Sequence, residues 1–361
     1  MTPDRPPVIG LSLSPTWLRG DAWRDPGSRA EDLASGEALI AAAALADEAG
    51  AHVAFKPDRL SMNPATLADW PGQTGPDATV LMAAVARETS RIGLIPTYSA
   101  TYAPPYLVAR ELQSLDQLSR GRAGWNAVTS LGGAENFPGP ERTSEERYRD
   151  AADMIEVVRR LHASYPARAV RIERAGGVFA DPGAVAPIEP AGRFEVAGPL
   201  TVPAYVDEPM PLLHAGGSPA SRDLAAAHAD AVFAMTAEDD DGIRLAVDLA
   251  ERASRVGRRA PRVLPGLVAC LAGTREEAEE RYARAMSAPG GAAHWTVVGT
   301  PRDAADAIER RIAAGAAEGV LALPFGSWEA VELFAAEVVP ELIRRGVSAA
   351  HDGDLRAAMR V

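Results

Sequence analysis

IGLIPTYSATYAPPYLVARELQSLDQLSRGRAGWNAVTS, residues 92–130, decides how the chain is read. It opens on an apolar run that ends in small hydroxyl residues (92–100) and passes through two prolines into a stretch with apolar residues at helical spacing (105–119). It closes on a second strand-like run, GRAGWNAVTS (121–130). Prolines suit the first turn of a helix, where the missing N–H has no intrahelical partner to lose. The unit is strand, helix, strand. A strand that only fills a core favours β-branched residues, so Asn126, Thr129 and Ser130 at the end of the second run call for another explanation.

The same unit recurs on both sides. VIGLSLSP (8–15) precedes the helical GEALIAAAALADEAG (36–50), and HVAFKPD (52–58) precedes PDATVLMAAVARETS (76–90). Beyond residue 130, SEERYRDAADMIEVVRRLHASY (144–165) places Ala151, Met154, Ile155, Val158 and Leu161 on one helical face. MPLLHAGGS (210–218), DAVFAMT (230–236), VLPGLVACLAG (263–273) and GVLALPF (319–325) read as strands, with helices expected at 219–229, 238–256, 274–287 and 328–345. Eight alternating units in 361 residues, with no G-x-G-x-x-G after a strand, predict an α/β fold of the closed (β/α)8 TIM-barrel type. A single domain over 1–361 is expected. Two segments fall outside the rhythm: a Gly-, Pro- and Arg-rich excursion at 166–209, and SAPGGAAHW (287–295), read as a mobile loop. Long loops in compact domains serve as lids or binding loops.

Composition narrows the function. A net charge of −12 lacks the basic face that binding a phosphate backbone requires, so nucleic acid is not an expected partner. The single cysteine, Cys270, sits in an apolar run and reads as a packing residue, and no disulfide framework can form. The N-terminus has no signal-peptide pattern and no apolar run is long enough to span a membrane. A cytoplasmic protein with no membrane partner is expected.

In a barrel, chemistry gathers where strands end and helices begin. The strand ends carry Ser12, Ser14 and Thr16; Lys56 and Asp58; Thr97, Tyr98, Ser99 and Tyr102; Asn126, Thr129 and Ser130; His214 and the turn Ala215-Gly216-Gly217-Ser218. This rim is rich in hydroxyls and poor in charge, with no close carboxylate pair for glycoside hydrolysis and no convincing metal-ligand spacing. It suits a large, weakly charged cofactor. The AGGS turn before a helix reads either as a phosphate site or as an ordinary turn with Ser218 as N-cap. A nucleophile elbow at Ser218 trails these two readings, because Pro219 lacks the amide that such a site needs.

GRAGWNAVTS resembles the signature of the nitrilotriacetate and dibenzothiophene-sulfone monooxygenase branch of the bacterial luciferase-like flavin monooxygenases. AWRDP (22–26), TYSATYAPPYLVARELQSLDQLSRGRAGWN (97–126), ERYRDAADMIEVVRRL (146–161), FEVAGPL (194–200), HAGGSPASRDLAAAHADAVFA (214–234), VVGTPRDAADAI (297–308) and VVPELIRRG (338–346) are similar to the branch in the same order. The resemblance implies a barrel that uses reduced FMN and O2. A separate NAD(P)H:flavin reductase would supply the reduced FMN. One oxygen atom would then pass through a peroxyflavin to a small organic substrate. It places Asn126 at the flavin's polar side with Trp125 in the same region, Thr129 or Ser130 at the ribityl chain, Asp58 near the pyrimidine edge, and Thr97 and Ser99 beside the ring. Tyr148 would hold the phosphate with the Ala215–Ser218 turn. Ser144 stands where the branch has a histidine four residues before that tyrosine, and Gly20 stands near another family histidine, so one flavin contact is missing or replaced. Candidates for handling the reacting oxygens are Trp17, Arg24, Tyr98, Tyr102 and His214. Relatives imply a homo-oligomer, a dimer or tetramer. Two other readings stay open: an oxidoreductase using the deazaflavin F420, and a flavin-holding protein without turnover.

Overall fold

The computed structural model describes residues 5–67, 70–129, 132–137, 142–190, 192–286 and 294–360. Strands β1 (Val8–Ser12), β2 (Val53–Lys56), β3 (Gly93–Ser99) and β4 (Trp125–Val128) pair in parallel in chain order. After a short antiparallel hairpin, β5 (Val170–Glu173) and β6 (Val178–Ala180), the ring continues through β7 (Leu212–Ala215), β8 (Ala231–Ala234) and β9 (Arg262–Leu271). β10 (Trp295–Gly299) lies along β9, and β11 (Gly319–Pro324) pairs with both β9 and β1. Eight parallel strands therefore close into a (β/α)8 barrel, as the alternating units predict.

Helices α1 (Glu37–Ala49), α2 (Ala78–Glu88), α3 (Pro105–Ser119), α4 (Ser144–Ser164), α5 (Pro219–His228), α6 (Asp239–Arg255), α7 (Arg275–Ala285) and α8 (Pro301–Ala313) follow the strands. α9 (Trp328–Leu333), a π turn at Phe334–Val338 and α10 (Val339–Arg344) form the last of these, within the range 328–345 expected from the sequence. Their starts are chemically specified. Asp77 accepts the amides of Thr79 and Val80 ahead of α2, while Thr143 with Glu146 and Thr300 with Asp303 form reciprocal capping boxes for α4 and α8.

The lumen is packed with Val8, Val53, Phe55, Ile95, Leu213, Ala231, Leu264 and Leu321. A short C-terminal helix, α11 (Leu355–Arg360), which has no counterpart in the sequence reading, pushes Leu355 and Met359 into the same cluster from the N-terminal end of the strands. Gly93 makes room: a Cβ there would lie 2.5 Å from Leu355 Cδ1. Arg356 seals the plug through a buried 2.8 Å ion pair with Asp116 and a bond to the Gly121 carbonyl. With this end closed, the described residues leave a mouth at the C-terminal end of the barrel.

One sequence expectation needs correction. The 166–209 excursion is no lid: Phe194 and Leu200 are buried, and Tyr106, Gln113 and Gln117 of α3 donate to the carbonyls of Pro199, Val202 and Pro203. It lies against the outer face of α3 and α4, where it satisfies its backbone on helix side chains. Of the 287–295 loop, residues 287–293 lie outside the described residues, and Trp295 already belongs to β10.

Burial leaves all six histidines in the neutral form, each held below the ordinary imidazole value of 6.5. At the plugged end, His351 lies 5.1 Å from His52, and His52 Nδ1 accepts the Ile9 amide. Burial first, and His351 second, hold His52 down to about 4. A depressed folded-state pKa means that below about pH 6.5 the unfolded chain takes up protons that the folded chain refuses, so stability falls as pH drops toward 4. Each such group contributes up to about 1.4 kcal/mol per pH unit. Denaturant titrations from pH 7.5 downward should show this decline, with a shallower slope for His351→Asn. A flat profile would contradict the neutral assignment.

Candidate active site

Successive strand residues point to opposite faces, and in a closed barrel one face is the lumen and the other meets the helices. Phe55 pairs with Ile95, Asn126 with Leu213, Ala231 with Leu213, and Phe233 with Leu264; these residues share the lumen face. Counting in twos from them places Ser12, Thr97, Ser99, Asn126 and Ala215 around the lumen at the C-terminal mouth. Tyr98, Trp125 and His214, one residue away, face the helices.

A directed chain of hydrogen bonds crosses this mouth. Thr97 Oγ1 donates to the Lys56 carbonyl at 2.8 Å, so it accepts from Asn126 Nδ2 at 3.0 Å, and this fixes the orientation of the Asn126 amide. Asn126 Oδ1 is left buried with no partner, as is Ser12 Oγ on β1. Buried polar atoms are normally satisfied, so two orphans on one lumen face mark where a ligand's donors would fit. Asp58, half-buried beyond β2, accepts the Arg59 amide at 2.8 Å, and desolvation outweighs the nearby Lys56 in raising its pKa. Thr129 is buried with its carbonyl held by Thr101 Oγ1; Ser130 lies outside the described residues.

The AGGS turn and α4 meet at the same end. Ser218 caps α5 by accepting the Ser221 amide, and its hydroxyl donates to Tyr148 at 3.2 Å. Ser144, exposed, opens α4 one turn before Tyr148. Gly216 is required because any side chain there would strike Ser221 Oγ; Gly217 has nothing within 4 Å of an added Cβ and faces open space. The exposed turn, the Tyr148 hydroxyl proton and a helix N-terminus offer directed donors to an anion. Of the two readings of Ser218, the N-cap is the one its hydrogen bonds display, with the hydroxyl proton directed to Tyr148.

His214 sits behind this cradle and away from the lumen. Its Nδ1–H donates to the Ala127 carbonyl at 2.7 Å, and Nε2 accepts from Ser221 Oγ at 2.8 Å. Both nitrogens are engaged and the ring is 2% exposed, so it braces α5 against β4 and has no nitrogen left to carry a proton to the mouth. Tyr98 is likewise committed, between Thr79 of α2 and Glu111 of α3. Trp17 is a core residue whose Nε1 donates to the Ser28 carbonyl, and Arg24 is exposed beside Asp21. Trp125 packs under α3 and α4. Tyr102 stays at the rim, stacked on Phe137 at 4.7 Å.

One residue at the mouth escaped the sequence reading as a site. His294, immediately before β10, lays its ring on the lumen residue Phe233 (5.4 Å between centroids) and fills the space above Gly266, where a Cβ would be 2.6 Å from Nδ1. Nδ1 is buried without a partner, and burial keeps the ring neutral. Nothing at 287–295 signals this, because the placement depends on an additional strand. Among the described residues no three His, Cys, Asp or Glu gather as metal ligands, and no helix is long and apolar enough to cross a membrane.

The family model of luciferase-like monooxygenases matches residues 18–322. The chain is 36% identical over 249 residues to dibenzothiophene-sulfone monooxygenase of Rhodococcus erythropolis, a match covering 64% of this chain and 55% of that one. It is 29% identical over 336 residues to nitrilotriacetate monooxygenase component A of Aminobacter aminovorans, covering 74% of each. The chain thus spans little more than half of the Rhodococcus relative. Among solved structures, EDTA monooxygenase from Chelativorans sp. BNC1 superposes with a TM-score of 0.85 over 98% of both chains at 25% identity. The barrel, its hydroxyl-lined mouth and this family match lead to one conclusion: the chain belongs to the luciferase-like monooxygenase family.

Proposed function

We propose that the chain is the oxygenating component of a two-component monooxygenase that takes reduced FMN and O2 and inserts one oxygen atom into a small organic substrate. The observation that carries this is the pair of orphaned lumen atoms, Asn126 Oδ1 and Ser12 Oγ, at the same barrel end as the Ser218–Tyr148 pair. One set fits the polar edge of a flavin and the other its phosphate. Reduced FMN would supply the oxygen-activating chemistry. Asn126, held by Thr97, would orient the ring, with Asp58, Ser99, Thr129 and the Ala215–Ser218 backbone around it. Neutral His294 would hold a proton near the reacting atoms, and the apolar lumen beneath would keep bulk water out. A separate flavin reductase fits a relative named as one component of a larger system. The exposed Val80, Leu107 and Leu118 on α2 and α3 support a homo-oligomer.

Titration with FMN, followed by flavin fluorescence, should saturate. Ser218→Ala should weaken binding roughly tenfold, the scale of one hydrogen bond to a charged group. Asn126→Leu should weaken it while leaving the thermal midpoint near that of the parent. Saturation by F420 without saturation by FMN would overturn the cofactor assignment. Oxygen consumption that yields only hydrogen peroxide across a substrate panel would overturn oxygen transfer.

Light scattering after size exclusion should give a dimer or tetramer, and Leu118→Asp should shift it toward monomer with FMN affinity retained. A parent protein that is monomeric at micromolar concentration would contradict the oligomer.

A further inference from the structure

The rim above β2, β3 and β4 carries two aromatic platforms joined by one hydrogen bond. Trp70 lies under two guanidinium groups, Arg59 at 5.5 Å and Arg19 at 5.8 Å from its ring centroid. It is fixed there, because any side chain at Gly72 would overlap its indole nitrogen. Tyr102 and Phe137 form the second platform, nearly parallel at 8°. Asn136 Nδ2 donates to the Leu60 carbonyl at 2.7 Å, and a Cβ on Gly133 would come within 2.8 Å of Leu60 Cβ. Leu60 follows Arg59 and Asn136 precedes Phe137, so this contact brings the two platforms to one quarter of the mouth. Tyr102 is tied to the lumen below by its amide, which donates to Ser99 Oγ at 3.2 Å.

Arg59 is exposed, and none of the described carboxylates pairs with its guanidinium; Asp58 turns back to the Arg59 amide instead. Some surface arginines are paired, as Arg244 is with Asp241 and Arg344 with Glu341; what sets Arg59 apart is its place over the Trp70 ring at the mouth. A guanidinium held over an indole by cation–π attraction keeps N–H donors for a planar anion. The phosphate cradle lies elsewhere on the rim, on α4 and the turn after β7, so this charge is not accounted for by FMN.

We propose that the substrate is a flat, largely apolar organic anion, its carboxylate, sulfinate or sulfonate held by Arg59 and its ring system lying along Trp70, Tyr102 and Phe137. This rests on the reading of the mouth as a monooxygenase site. Calorimetric titration with naphthalene-2-sulfonate and its neutral counterpart, methyl 2-naphthyl sulfone, tests it. The parent should bind the sulfonate at least about tenfold more tightly, a preference that shrinks with added salt. Arg59→Gln should abolish the preference, Arg59→Lys should keep part of it, and Trp70→Leu should weaken both probes. FMN affinity measured in Arg59→Gln should equal that of the parent, which shows that the variant is folded. Equal affinity for the two probes, a preference that survives in Arg59→Gln, or no saturable binding of either would overturn the proposal. Selective sulfonate binding without FMN binding would leave it standing and remove the flavin reading; FMN binding without discrimination would do the reverse.

Discussion

The closure of eight parallel strands is the constraint on which the rest depends. Once the last strand pairs with the first, each side chain is assigned to the lumen or to the helix layer, and a step of one residue reverses the assignment. Thr97 and Asn126 are therefore at the mouth, while Tyr98 and Trp125 are not. Closure also concentrates polarity at one end. The N-terminal end is stopped by Leu355, Met359 and the Arg356–Asp116 pair, so ligand access and chemistry share the opposite face.

The mouth is polar without being strongly charged, and that follows from how its groups are partnered. Asn126 gives an amide proton to Thr97, and Thr97 spends its hydroxyl on a backbone carbonyl, which leaves the Asn126 Oδ1 acceptor facing inward. Ser218 and Tyr148 come from segments 70 residues apart and meet because His214 and Ser221 lock α5 against β4. His214 thus acts through position. Its burial leaves it neutral, and its neutral tautomer is what allows one nitrogen to donate and the other to accept.

Much of this was readable from the chain. The eight barrel strands and their helices lie where apolar runs alternate with helical periodicity, and the hydroxyls at strand ends mark the functional face. Facing was harder to read. IGLIPTYS and PLLHAGG are apolar on both sides because barrel strands are buried on both faces, so the period-2 signal that separates lumen from helix layer is muted. That is why Tyr98 and His214 looked as suitable as Thr97. WTVVG reads as a strand in isolation, but it falls outside a rhythm already complete at eight, and His294 was missed with it. The six-residue α11 is too short to show periodicity, and the excursion's side-chain docking onto α3 depends on tertiary contacts.

All of these relations converge on a single binding mouth. Its most direct test is a crystal structure of the protein soaked with FMN. The ring should lie within hydrogen-bonding distance of Asn126 Oδ1, with the phosphate on Ser218 and Tyr148. Density for FMN anywhere else, such as the cavity between α3 and α4 lined by His162 and Arg159, would contradict the account.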